Sequence, residues 1–211
     1  MFRKLPVYLV IDCSFSMRGE PIAMVNKGIK KMIWDLRKDP MALETVWLSI
    51  ITFSTGAKQI FPLTELLQLD IPELIAEKRS DMGTALKLLI EKINHEVLPS
   101  TNEQKGDWRP IVFLMTDGGS SDAWKLTADK IRERQNKGNL FFVAAGFGSN
   151  IYADRLARIT PNVIISESSN PESFAKYLSW VSTSISRSCQ IGPEKTDIFT
   201  GMPTPDGFKK I

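Results

Sequence analysis

The feature that most constrains the fold of this chain is a regular alternation of short, uninterrupted apolar runs with longer amphipathic segments. The apolar runs cover residues 5–11, 46–53, 111–115 and 140–145. Runs this uniformly apolar predict strands that are buried on both faces. Between them, apolar side chains recur at spacings of three and four, which predicts amphipathic helices. Buried strands separated by helices predict an α/β fold: a doubly wound, mostly parallel, Rossmann-like sheet with helices on both faces.

One short hairpin and a proline-containing tail complete the predicted architecture. Ser54-Thr55-Gly56 has the composition of a turn, so residues 58–61 are expected to pair back on the second strand as one antiparallel edge strand. Prolines and glycines follow residue 188 and predict an extended C-terminal segment. The sequence therefore predicts one domain over residues 1–188 and an extended tail over residues 189–211.

Size, charge and cysteine content exclude several classes of protein. The 211 residues suit one globular domain, and a net charge of +3 without a block of like charge argues against a nucleic-acid-binding protein. No apolar run approaches the roughly 18 residues of a membrane span, and the first run lacks the features of a signal peptide. Cys13 and Cys189 form no CxxC pair, which argues against a zinc site and against a disulfide scaffold, and we expect Cys13 to be a buried free thiol. We expect a soluble, cytoplasmic protein that binds neither membranes nor nucleic acid.

Oxygen-bearing side chains follow the predicted strands at the points where the strands end. Asp12, Ser14 and Ser16 come directly after the first strand, Asp117 follows the strand over residues 111–115, and Thr84 begins a helix. Ligands of doubly wound sheets bind beyond the carboxyl ends of the strands, at the switch point of the sheet. Hard oxygen donors without clustered His or Cys suit Mg²⁺ or Mn²⁺, ahead of Ca²⁺ and far ahead of zinc or copper.

These segments resemble a known metal site. In order and in position, three of them are similar to the metal-ion-dependent adhesion site (MIDAS) of von Willebrand factor A (VWA) and integrin inserted domains: Asp12-x-Ser14-x-Ser16, Gly83-Thr84 and Asp117-Gly118. The resemblance implies that Ser14 and Ser16 coordinate the metal directly, and that Thr84 does so when a ligand is bound. It implies that Asp12 and Asp117 act through waters or hydrogen bonds. An open metal position would then accept an Asp or Glu of a partner protein, which makes the chain a non-enzymatic interaction module.

A narrower resemblance concerns residues 3–14, 17–22 and 47–54, which look like bacterial TerY-type proteins of tellurite-resistance and stress operons. That likeness implies a cytoplasmic scaffold or regulator in a phosphorylation-linked complex. It further implies two partners from the same operon, a kinase-like protein and a PP2C-type phosphatase.

Asp81 and Asp122 each lie just before a predicted helix and are candidates to cap it. Met82 stands where many family members have a second glycine, and Asp81 precedes Thr84 by three residues. Asp81 is expected to cap the helix at Thr84, although it could instead add negative charge near the metal. Asp122, or Ser121 before it, is expected to cap the following helix.

Two other functions use the same residues. A metal-dependent phosphohydrolase would need a proton donor or acceptor near the metal, and Asp81 is the one candidate for that role. A metal-free structural subunit would use Asp12, Ser14 and Ser16 merely as turn formers. His95, the only histidine, lies on the polar side of its predicted helix, which indicates a solvated side chain rather than a catalytic base.

Overall fold

The structure is a computed structural model that describes residues 3–116, 119–120, 122–149, 151–191 and 203–211. Within these residues, seven strands form one mixed sheet: β1 (Leu5–Asp12), β2 (Val46–Ser54), β3 (Gly56–Glu65), β4 (Ile111–Thr116), β5 (Phe141–Phe147), β6 (Val163–Ser166) and β7 (Phe208–Lys210). The strand order is β3-β2-β1-β4-β5-β6-β7, and the five central strands are mutually parallel. The strands at the two edges, β3 and β7, are antiparallel to their neighbours.

Helices cover both faces of this sheet. They are α1 (Glu20–Arg37), α2 (Pro40–Thr45), α3 (Met82–Glu96), α4 (Lys125–Asn136), α5 (Ala153–Ile159) and α6 (Pro171–Ile191). Along β1, Val7 and Leu9 belong to the apolar cluster packed on α1 and α6, whereas Tyr8 and Val10 belong to the cluster packed on α3, α4 and α5. Successive side chains of a strand point to opposite faces, so an apolar run without alternation needs cover on both sides. The predicted fold class is confirmed.

The C-terminal segment contributes a strand that the sequence analysis did not predict. Phe208 pairs with Ser166 and Lys210 with Ile164, which makes β7 a second antiparallel edge. Upstream of it, α6 continues through Ile191, so the predicted boundary at residue 188 falls inside this helix. Cys189 extends the buried stripe of α6 and is 8% exposed. An apolar stripe at helical spacing therefore continues past the point where the composition changes.

The hairpin is present and longer than expected. Strand β3 begins at Gly56, whose positive φ of 83° suits the turn, and it runs through Glu65, beyond residues 58–61. Pro62 lies inside this strand. An edge strand tolerates a proline because the backbone groups on its outer side have no partner strand, so the missing N–H breaks no hydrogen bond of the sheet. A further short helix, α2, starts at Pro40, where the Asp39 carboxylate accepts hydrogen bonds from two backbone amides.

The switch point of the sheet lies between β1 and β4. Strand β1 pairs with β2 on one side and with β4 on the other, and Ile11 is opposite Met115. The chain leaves β1 for α1 on one face and leaves β4 toward α4 on the other face. The carboxyl ends of β1 and β4 therefore lie side by side at the switch point. In the described part of the chain, no helix has the length and apolar character needed to cross a membrane.

Candidate metal site

Asp12 ends β1 as a fully buried carboxylate, with 0% of its surface exposed. Its Oδ1 accepts a hydrogen bond from the Ser14 backbone N–H at 2.9 Å, and its Oδ2 accepts one from Thr116 Oγ1 at 2.7 Å. Ser80 Oγ lies 3.2 Å from the same Oδ2. A buried carboxylate is stable only when its oxygens are satisfied, and these donors satisfy it while they hold three separate segments of the chain.

The hydroxyl groups of Ser14 and Ser16 lie next to each other in the loop after β1. Their Oγ atoms are 3.2 Å apart. A 3₁₀ turn over Phe15–Met17, anchored by the buried Met17 side chain, brings the alternate serines to the same side. Neighbouring oxygens in an octahedral Mg²⁺ shell at about 2.1 Å from the ion lie about 3 Å apart. The serine pair therefore has the spacing of two adjacent ligands of such an ion.

Thr84 lies in the first turn of α3, where its side chain is exposed and is held by Asp122. Asp122 Oδ2 accepts hydrogen bonds from the Thr84 backbone N–H at 2.7 Å and from Thr84 Oγ1 at 2.9 Å. The other oxygen, Oδ1, accepts from the Gly83 backbone N–H at 2.8 Å and from Ser120 Oγ at 2.9 Å. Because the hydroxyl proton of Thr84 points to Asp122, lone pairs of its oxygen remain available to a cation.

The electrostatics of Asp122 follow from these contacts. Partial burial by itself raises the pKa of this carboxyl, but the hydrogen bonds from Gly83, Ser120 and Thr84 outweigh burial and hold the pKa below its ordinary value. Asp122 is therefore ionised at neutral pH, and its negative charge lies at the amino end of α3, where the helix dipole favours it.

The predicted roles of Asp81 and Asp122 as caps of their nearest helices are both wrong. Asp81 occupies the position before α3, but its side chain caps no backbone amide there; its Oδ2 accepts from the Gly56 backbone N–H at 2.8 Å. Asp122 caps α3, which lies 38 residues earlier, while α4 begins after Trp124 without a side-chain cap. A carboxylate caps the helix terminus that the fold brings next to it, so the distance along the sequence did not decide which helix Asp122 caps.

Ser80 and Thr116 are site residues to which the sequence analysis assigned no role. Ser80 Oγ lies within hydrogen-bond distance of Asp12 Oδ2 and, at 2.5 Å, of the Gly119 carbonyl oxygen. It therefore connects β1 to the loop after β4. The only signal in the sequence is the placement of these hydroxyl side chains directly beside the recognised segments.

The sequence pattern of the von Willebrand factor type A domain matches residues 7–183 of this chain. The chain belongs to the VWA family. Solved structures with the same fold include a von Willebrand factor type A protein from Catenulispora acidiphila, at 18% identity and a TM-score of 0.65, over 87% of this chain and 43% of that one. Proximal thread matrix protein 1 from the mussel byssus matches at 22% identity and a TM-score of 0.62, over 85% of this chain and 47% of that one.

A further structure of the mussel protein, described as having a zinc occupied MIDAS motif, matches at 18% identity and a TM-score of 0.61, over 89% of this chain and 46% of that one. This VWA chain thus spans less than half the length of these solved chains. Comparison with curated protein sequences gives no match. At these identities the likeness of the structures concerns the fold.

The remaining predicted site residue of the VWA domain, Asp117, lies outside the described residues together with Gly118. It directly follows Thr116, the last residue of β4. In the part of the chain that the structure describes, no three histidine, cysteine, aspartate or glutamate side chains cluster in a way that could hold a metal ion. The side-chain groups described as hydrogen-bonded to Asp12 include the hydroxyls of Ser80 and Thr116.

Cys13 and His95 do not contribute soft ligands to this VWA site. Cys13 is buried, and burial, reinforced by the negative charges of Asp12 and Glu77, raises the pKa of its thiol to about 12. A thiol with such a pKa stays protonated at neutral pH and is a poor metal ligand. His95 is exposed near the end of α3. The predictions of a buried free thiol at Cys13 and a solvated histidine are confirmed.

Proposed function

We propose that this VWA domain binds a divalent cation, Mg²⁺ or Mn²⁺, and through it an acidic side chain of a partner protein. Ser14, Ser16 and Thr84 would supply the coordinating hydroxyls, and Asp12 and Asp117 would orient them and balance the charge. VWA domains commonly act as metal-dependent protein-interaction modules. The observation that carries the proposal is the buried Asp12 carboxylate beside a pair of serine hydroxyls only 3.2 Å apart.

The donor set explains why a carboxylate would be the preferred partner group. Hydroxyl oxygens are neutral, so a dication held by them keeps more of its positive charge than one held by several carboxylates. The Asp12 carboxylate is engaged by Ser14 N–H and Thr116 Oγ1, which favours an orienting role over direct ligation. Ser16 and Thr84 are exposed, so this side of the ion would be open to a partner's Asp or Glu.

Calorimetric titration with MgCl₂ and MnCl₂ tests the metal site directly. We expect one binding event per chain in the wild type and about a hundredfold weaker affinity in Ser14→Ala/Ser16→Ala, because two of the proposed ligands are removed. Ser179→Ala, which removes an exposed hydroxyl on α6, is the matched control and should bind as the wild type does. Unchanged affinity in the double variant would show that the serine pair is not the metal site.

The partner interaction is tested by affinity capture from native extract in MgCl₂ and in EDTA. A partner held through the metal is released by EDTA and is not captured by Asp12→Ala or Asp117→Ala, provided that both variants stay folded. Capture that survives EDTA and both substitutions would contradict a metal bridge.

We further propose that the partners belong to a phosphorylation-linked complex of a bacterial tellurite-resistance or stress response, in the cytoplasm. The support is the resemblance of residues 3–14, 17–22 and 47–54 to TerY-type proteins. Mixing the purified domain with the kinase-like protein and the PP2C-type phosphatase of such an operon, followed by size-exclusion chromatography, tests this. We expect a complex that forms in MgCl₂ and not in EDTA. Elution of the proteins as separate species with and without Mg²⁺ would contradict the assignment.

We infer that the domain acts without catalysis. The hydrolase alternative needs Asp81 as a proton donor or acceptor, but the Asp81 carboxylate accepts a hydrogen bond from the Gly56 backbone N–H and ties the loop before α3 to the β2–β3 turn. A panel of phosphoesters with Mg²⁺ and Mn²⁺ should show no turnover. Turnover that Asp12→Ala abolishes would overturn this inference.

A further inference from the structure

The outer face of α1 is a continuous basic stripe with one aromatic side chain in it. The stripe consists of five exposed residues at helical spacing: Lys27, Lys30, Lys31, Trp34 and Lys38. The opposite side of α1 carries the buried apolar residues that pack on the sheet and on α6. Trp34 is 56% exposed. We call this set the α1 stripe.

The charges of the α1 stripe are almost all of one sign. One acidic side chain borders the stripe: Asp35, which pairs with Lys31 at 2.5 Å. In the described part of the chain, no ion pair joins Lys27 or Lys30 to an acidic group. Four lysines against one aspartate leave a local positive field although the whole chain carries only +3.

Helix α4, on the other face of the sheet, shows the contrasting arrangement. Its outward carboxylates pair with neighbouring cations: Asp129 with Arg158 at 2.7 Å, and Glu133 with Lys137 at 2.6 Å. An exposed helix of this protein can thus be balanced by ion pairs within the chain. The α1 stripe lacks that balance, so its field is available to a negatively charged partner.

Trp34 adds an apolar contact to this field. Lys38 Nζ lies 2.8 Å from the centroid of the Trp34 ring, a cation–π contact on one face of the indole. Exposed tryptophans are enriched where proteins contact one another, because they offer a large and rigid contact area. Arg37, by contrast, turns toward the fold and donates to the carbonyl oxygens of Leu66 and Leu69.

We propose that the α1 stripe docks an acidic segment of a partner protein, with an apolar side chain of that segment against Trp34. From Lys27 to Lys38 the helix rises by about 16 Å, at about 1.5 Å per residue. An extended segment of about five residues spans the same length. This docking is independent of the metal site, because the α1 stripe lies on the outer face of α1 and includes none of the residues around Asp12.

The same observations disfavour a membrane and a nucleic acid as the partner. Membrane binding by a surface helix needs a broad apolar face, and the stripe offers a single aromatic ring. Nucleic-acid binding is typical of domains with a strong overall basic charge, whereas this chain carries only +3 in total. A short acidic peptide matches both the narrow width and the single aromatic contact.

Fluorescence anisotropy in EDTA tests the proposal without involving the metal. The probe is a fluorescein-labelled ten-residue peptide of Asp and Glu with one central Leu, titrated with the full chain in 50 mM and in 300 mM NaCl. We expect binding that weakens about tenfold or more at the higher salt, since the contact is largely electrostatic and exposed. In Lys27→Glu/Lys30→Glu we expect a loss of about tenfold or more at low salt.

The matched control is Lys87→Glu/Lys130→Glu, which makes the same change in net charge at exposed positions of α3 and α4. This control should keep most of the affinity for the peptide. Trp34→Ala should weaken binding of the Leu-containing peptide more than binding of a peptide in which Ser replaces the Leu. Equal loss in both double variants would overturn the stripe as the site, as would no binding at low salt. Tighter binding to phosphatidylserine vesicles or to a 20-nucleotide RNA would overturn the choice of partner. Because the assay contains EDTA, binding in it does not depend on the metal site.

Discussion

The two sides of the candidate metal site are built differently. On the β1 side, Asp12 is completely buried and is held by hydrogen bonds from the chain just after β1 and from the neighbouring strand β4. On the α3 side, Thr84 is exposed at a helix terminus and is held by Asp122 from the loop before α4. The β1 side is part of the core, whereas the α3 side depends on contacts between the first turn of α3 and the loop before α4. We expect the β1 side to be rigid and the α3 side to adjust when a ligand binds.

The largest effect on stability is expected for Asp12→Ala. The substitution leaves the buried Thr116 hydroxyl and the Ser14 backbone N–H without this acceptor, which should cost about 2–4 kcal/mol of unfolding free energy. Urea denaturation followed by circular dichroism measures the change. Asp70→Ala, at an exposed carboxylate, should stay within about 0.5 kcal/mol of the wild type. A loss below about 1 kcal/mol for Asp12→Ala would show that the β1 side is not a core element.

Gly83→Ala should have the next largest effect. A Cβ on Gly83 would lie 2.8 Å from the Ala123 carbonyl oxygen and 2.8 Å from Trp124 Cα, so the backbones must separate. We expect a loss of about 1–3 kcal/mol by thermal or urea unfolding. Gly119→Ala, where the added Cβ meets nothing within 4 Å, is the matched control. Equal stability of the two variants would show that the α3 side is looser than its contacts suggest.

Removal of the cap by Asp122→Ala is expected to cost about 1–2 kcal/mol, because the amides of Gly83 and Thr84 lose their acceptor. Hydrogen exchange should rise at the first turn of α3 and remain unchanged in β1. Faster exchange in both elements would contradict a separate α3 side.

The stability of the α3 side should depend on pH with a defined sign. The pKa of Asp122 is lowered in the folded state, so its contribution is present above the unfolded value near 3.8 and is lost as the pH falls below it. The difference in unfolding free energy between the wild type and Asp122→Asn should therefore shrink between about pH 5 and about pH 3. A difference that grows toward acidic pH would contradict the assigned hydrogen bonds.

Thr84→Ala should have the smallest effect on stability. The residue is exposed and its hydroxyl contributes one hydrogen bond to Asp122, so we expect a loss below about 1 kcal/mol. Affinity for Mn²⁺ should nevertheless fall about tenfold, as for other substitutions around a metal. Thr84→Ser keeps the hydroxyl and should restore the affinity. If Thr84→Ser binds no better than Thr84→Ala, the hydroxyl is not a ligand.

The sequence by itself predicted the position of the oxygen donors on the β1 side of the candidate site. An apolar run that ends in Asp12, followed by alternate serines, places oxygen donors at the carboxyl end of a buried strand. Parallel strands align their carboxyl ends, so the location of the site follows from local patterns alone. The same patterns predicted the α/β fold, the helices on both faces and the buried Cys13.

Only the tertiary structure decided which residues hold these donors. Asp122 caps α3, Asp81 binds the turn at Gly56, and Ser80 connects Asp12 to the loop after β4. The pairing of β7 with β6 is likewise a contact that only the tertiary structure decided. Each of these contacts joins residues that are far apart in the chain and depends on where loops come together. Propensity and periodicity act over neighbouring residues, so they determine elements and their order, whereas long-range hydrogen bonds depend on the packing of the whole domain.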